Sequence, residues 1–98
     1  MTILDDIKTM LDISLENISY DVKLNIIIED GKQHLRNFNP LLTDDDFKNS
    51  TRARYLLTSY CRYAFSNAAE MFNTNYKSDL LALRQEYEVA VYENQNSN

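Results

Sequence analysis

Few of the 98 residues are of kinds that do chemistry, and their spacing limits what they can do. His34 is the sole histidine and Cys61 the sole cysteine. A metal site or an acid–base pair needs a second such group close by, and His34 has only Arg36 beside it. A half-exposed helical histidine is the expected state. Cys61 stands one turn from Leu57 and from Ala64 and Phe65, with no basic partner to activate a thiolate, so it reads as a small buried apolar residue. Asp44-Asp45-Asp46 lacks the glycine and closing glutamate of a calcium loop. Its place behind Thr43 explains it as carboxylates at the positive end of a helix dipole. Gly31 alone cannot build a phosphate-cradling loop or a nucleophile elbow. The residues thus predict no catalytic group, no metal set and no cofactor, and hence no enzyme.

One further cluster mixes cations with rings: Arg52, Arg54 and Arg62 with Tyr55 and Tyr63. Such interleaving can hold single-stranded nucleic acid. Here three aspartates lie just upstream, and 10 Lys+Arg against 15 Asp+Glu leave a formal net charge of −5, which repels phosphate backbones. A solvated face with local salt bridges, or a protein contact, is the better account.

Whatever these residues do, helices must position them. Gly31 and Pro40 are single members of their kinds, too few for the turns of a small all-β domain. Hydrophobic residues at 44 % and charged ones at 26 % are a globular balance. At this length folding hides about 60–68 % of the extended chain's surface, enough for one modest core. The expected fold is all-α, a small bundle of four to five helices in a single domain, with residues 1–93 as the folded unit and 94–98 as a flexible polar tail. The longest apolar run, Ile26–Ile28, is too short to span a bilayer. The start, Met1-Thr2-Ile3-Leu4-Asp5-Asp6, predicts no signal peptide, and a lone cysteine suits a reducing compartment.

Thr2 with Asp5 forms a potential capping box before a stripe of Ile3, Leu4, Ile7, Met10 and Leu11, which predicts a helix near residues 3–11. Ser14–Asn17 reads as a connector, and Ser19 offers the next cap. Leu24, Ile27, Ile28, Gly31, Leu35 and Phe38 share one face of a helix from about Tyr20 to Phe38. A strand through Ile26-Ile27-Ile28 into an Asp30-Gly31 turn is the rival, but residues 32–37 do not alternate as a return strand would. Gly31 within a helix costs about 1 kcal/mol, which close approach by a neighbour would offset. Asn37–Thr43 is a loop, since a residue before proline leaves helical space. Thr43 with its aspartates starts the next helix, expected to persist to about Asn73 with a break near Asn49-Ser50. Ala53, Leu57, Cys61, Ala64, Ala68 and Met71 form its seam. A last helix carries Tyr76, Leu80, Leu83, Tyr87 and Ala90/Val91.

Two features point outward. Seven tyrosines exceed what so small a core houses easily, and Tyr55, Tyr63 and Tyr92 fall off the main stripes. They suit an interface, or they lie flat on the surface. Glu86, Glu88 and Glu93 crowd the end of the last helix against its dipole. Either that end frays, or a partner supplies positive charge.

The order of elements resembles the small head-tail connector proteins of tailed bacteriophages. The short first helix, the acidic Ile-rich helix (Ile26-Ile27-Ile28-Glu29-Asp30) and the proline loop lead to Tyr60-Cys61-Arg62-Tyr63-Ala64-Phe65-Ser66-Asn67-Ala68-Ala69-Glu70-Met71-Phe72 and then Tyr76-Lys77-Ser78-Asp79-Leu80-Leu81-Ala82-Leu83-Arg84. The resemblance covers residues 3–91, and Gly31 departs from it. It implies a structural virion protein at the head-tail junction, made in the host bacterial cytoplasm. Such an adaptor assembles as a ring of about twelve copies beneath the portal protein and meets the next tail or stopper protein. It further implies that the last helix and tail engage the portal, with Leu80, Leu83, Tyr87 and Tyr92 as contacts, and that Asn37–Thr43 meets a neighbouring subunit or the next tail protein. The net negative charge adds an expectation of its own, that viral DNA passes through the ring without specific binding. The alternative from the residues alone is a small helical protein-binding regulator that captures a partner helix or acts as an anti-repressor.

Overall fold

Two hydroxyl caps begin the two helices whose starts the sequence marks most clearly. The Thr2 hydroxyl accepts from the Asp5 backbone N–H, and the Asp5 carboxylate accepts in return from the Thr2 N–H. Thr43 and Asp46 repeat the arrangement. The computed structural model describes residues 2–96, of which helices α1 (Ile3–Met10), α2 (Asp21–Arg36), α3 (Asp44–Asn49), α4 (Thr51–Phe65), α5 (Phe72–Asn75) and α6 (Lys77–Asn96) form one domain. A 3-10 turn, Ala69–Met71, precedes α5. The fold is all-α with no strand among the described residues, and its six helices slightly exceed the four to five expected.

α2 and α4 are the central pair and run antiparallel. Tyr20, at the start of α2, meets Phe65 at the end of α4, while Gly31 further along α2 lies against Leu57 and Tyr60. A Cβ on Gly31 would stand 2.8 Å from side-chain atoms of both. The Leu57 and Tyr60 side chains therefore lie directly on the Gly31 backbone and would have to shift for a larger residue, and α2 is continuous through Gly31. Leu24, Ile28, Leu35, Phe47, Ala53, Leu56, Leu57 and Cys61 fill the space between α2, α3 and α4.

Several boundaries differ from expectation for physical reasons. The seam of α4 stops at Phe65, not Asn73. Asn67 takes φ 58°, and the Ala68 and Asn67 N–H groups return to the Tyr63 and Ala64 carbonyls, which closes the helix in a Schellman motif. Asp12, at φ 60°, ends α1 the same way, with Ile13 N–H on the Lys8 carbonyl. Beyond Asn67 the chain turns, so Met71 leaves the seam and is 52 % exposed. α2 begins after Tyr20 with no side-chain cap, whereas Ser19 was the expected cap. α6 runs to Asn96, past the boundary expected at residue 93; Ser97 and Asn98 lie outside the described residues.

Lys8 is 2 % exposed and holds the irregular stretch between α1 and α2. Its Nζ donates to Asp21 Oδ1 at 2.8 Å and to the Leu15 carbonyl at 3.2 Å. Its aliphatic stem lies in the interior, and the charge is met at the rim.

Candidate protein interface

α6 is held to the bundle along its first half. Leu80 and Leu83 enter the core, and Arg52 on α4 donates to Asp79 at 3.3 Å and to Glu86 at 2.9 Å. Arg84 donates to the Asn37 carbonyl at 2.6 Å and stacks over Phe38. Past Leu83 no apolar residue of α6 belongs to the core or packs against it among the described residues. The stripe itself continues through Tyr87, Ala90 and Val91, so the apolar face of α6 outlasts the bundle it belongs to. From Gln85 to Asn96 the helix extends about 18 Å, within a molecule whose longest dimension is 51 Å. Val89 is 55 % and Tyr92 66 % exposed. Glu86, Glu88 and Glu93 make this segment acidic, and its last turn has no basic residue.

The contact residues expected from the sequence separate into two groups. Leu80 and Leu83, at 3 % and 0 % exposure, hold α6 to its own bundle and present no surface to a partner in this conformation. Tyr87 is half-buried and Tyr92 exposed, and both lie on the projecting segment. Tyr55 is exposed beside Tyr76, with ring centroids 5.8 Å apart. The hydrogen bond it makes there raises its phenol above the ordinary value, while Ser59 lowers that of Tyr76. Tyr63 packs on Phe72 and Tyr76, and its hydroxyl accepts from Asn75 Nδ2 at 2.9 Å, so most of this ring is used internally. Among the described tyrosines, Tyr20, Tyr55 and Tyr92 keep the most exposed rings. In the Asn37–Thr43 loop Leu41 is exposed, but Asn39 and Leu42 are buried, and Arg36 Nε donates to the Leu42 carbonyl at 3.0 Å.

The residues that could do chemistry are occupied structurally. His34 stacks on Tyr60, meets Phe72 edge-on, and its Nε2 lies 2.6 Å from Asn73 Oδ1. Cys61 is fully buried, and burial pushes its thiol up to about 12. Asp44 pairs with Lys32 at 3.3 Å and Arg36 at 3.2 Å, and these cations hold its carboxyl below the usual range. Arg54 is bonded to Asp6, and Arg62 donates to the Tyr76 hydroxyl. No three His, Cys, Asp or Glu side chains converge as a metal site among the described residues.

Two open grooves flank α6. One, of about 470 Å³, lies between Arg52 and the Ala82, Val89 and Ala90 side of α6; the other, of about 430 Å³, is lined by Phe38, Asn73, Thr74, Lys77, Leu80 and Leu81. Sequence reading missed Leu81 and Val89, both more than half exposed, because they fall outside the stripe that continues the core. Comparison with protein-family models, curated proteins and solved structures finds no match to this chain.

Proposed function

We propose that this protein is a non-enzymatic connector of a tailed-phage virion, assembling as a ring beneath the portal and joining capsid to tail. The observation that carries the reading is the second half of α6, an acidic helix whose apolar stripe of Tyr87, Ala90 and Val91 runs off the end of the bundle. Such a helix suits docking in a groove, with the apolar face supplying area and a basic rim supplying the counter-charge for Glu88 and Glu93. On this reading the partner groove belongs to the portal, the tail or stopper protein meets another face, and DNA passes without specific contact. The order of helices and the residues from Tyr60 to Arg84 that resemble connectors support it.

The test uses the full chain and a form ending at Arg84, each mixed with purified phage portal assemblies. Full chain should bind in a salt-sensitive manner and appear as a ring by electron microscopy. The shortened form, with its core intact, should fold and lose at least about a hundredfold in affinity. Equal binding by both forms overturns the role of α6. Absence of any portal binding, with capture of a repressor instead, favours the regulator reading.

A further inference from the structure

A second surface stands out away from α6. Val22 and Ile26, one turn apart on the outer side of α2, are 75 % and 58 % exposed, and Ile18, in the turn just before the helix, is 75 % exposed; the three make an apolar ridge at the start of α2. Glu29 and Asp30 continue the same face, seven and eight residues beyond Val22. Among the described residues Asp30 has no cation partner, and Glu29 holds only Lys32, at 3.4 Å. The ridge is therefore apolar at one end and negatively charged at the other.

The groove beside α6 has the opposite character. Phe38, Leu80 and Leu81 give it an apolar floor, and Lys77 stands on its rim. Arg84 lies two turns from Lys77 on the same side of the helix, over the Phe38 ring. Neither cation has a carboxylate partner among the described residues, and no acid lines the groove. The ridge points away from the core face of α2 (Leu24, Ile28, Leu35), while the groove adjoins the end of α2 at Phe38. One copy can therefore use both surfaces at once. The tip of α6 is a poor occupant for the ridge, since Glu88 and Glu93 would face Glu29 and Asp30.

We propose that a second copy of this chain seats its Ile18–Val22–Ile26 ridge in the Phe38–Leu81 groove, with Glu29 and Asp30 against Lys77 and Arg84. The inference deepens the connector reading and rests on it for the closed ring; the contact itself rests on the two complementary surfaces. Joining two different faces makes it heterologous, so each added copy leaves one ridge and one groove open, and assembly continues until rotation closes it.

Sedimentation velocity on the full chain, from micromolar to millimolar protein at low salt, reads this directly. Average mass should rise beyond that of a dimer and fall again with added salt. Val22→Ser with Ile26→Ser should abolish association while leaving the thermal melt unchanged, because both side chains are exposed. Lys77→Glu and Asp30→Lys should each weaken association about tenfold, and combining them should restore most of the loss. Monomer at every concentration, a species that stops at the dimer, or association indifferent to these substitutions overturns the proposal. Ridge variants that lose only portal binding overturn it too, by assigning the ridge to the portal. Assembly that follows these surfaces without any portal binding leaves the contact standing and removes the connector reading.

Discussion

α4 and α6 carry the same kind of sequence, apolar residues three and four apart, and meet opposite fates. On α4 the stripe of Ala53, Leu56, Leu57 and Cys61 is wholly excluded from water. On α6 full burial ends at Leu83, and Tyr87, Ala90 and Val91, which keep the rhythm, are only half-buried. Periodicity states which face a helix would bury; only a facing element decides whether it does. α4 has α2 and α3 across from it. Among the described residues no apolar side chain of the second half of α6 joins the core, and that difference separates the part that folds the molecule from the part that projects from it.

The contrast is sharpest where one residue is removed from each stripe. Leu57→Ala should cost about 3–4 kcal/mol in denaturant unfolding, the lost transfer energy plus a cavity between α2 and α4. Val91→Ala should stay within about 0.5 kcal/mol of the parent; a larger loss would mean the projecting segment is packed after all. Gly31→Ala probes the α2–α4 approach. Helix propensity favours alanine by about 1 kcal/mol, but the new methyl meets Leu57 and Tyr60 at 2.8 Å. A net destabilisation of about 1–2 kcal/mol is expected, and a gain would show that the pair relaxes at little cost. Thr43→Ala should cost about 1 kcal/mol through the lost cap of α3.

The smallest effect near neutral pH comes from Cys61. Its thiol rises from 9.0 to about 12 in the folded chain, so between those values the native state keeps a proton that the unfolded state has released. Stability must then fall as pH rises through that window. Tyr60, raised by burial and then by Asp30, adds a slope of the same sign at higher pH. Thermal melts between pH 8 and 10 should show a shallower decline in Cys61→Ala than in the parent; parallel curves would contradict the burial.

Much of the fold could be read in the residues because local chemistry determined it. Thr2 and Thr43 announce their helices through boxes that need only three residues, and Gly31 on an apolar stripe implies a close neighbour. The buried Cys61 also follows from position along a helix, whereas Arg52 and Arg54, expected in local salt bridges, pair instead with Asp79 and Glu86 on α6 and with Asp6 on α1. Other features required the folded chain. Asn67 ends α4 by entering the left-handed region, a choice that asparagine permits without compelling. Lys8 looks like a surface residue until Asp21 and the Leu15 carbonyl are brought over it. The candidate site was legible only in part: the last helix was identified, but which of its leucines face inward depends on where the bundle ends. The ridge had a visible signal in the spacing of Val22 and Ile26, masked by the stronger inward stripe of α2, while Ile18 lies ahead of that helix.

The way α6 is anchored also bears on how its tip can move. Fixed near Leu83 and Arg52, the segment behaves as a lever about 18 Å long, so a tilt of about 10° at the fulcrum swings its end by about 3 Å. Small repacking at two core leucines is thereby amplified into a displacement comparable to the width of a side chain. An arm that tilted at this anchor would let the bundle keep its other contacts in register while reaching partners whose spacing does not match its own.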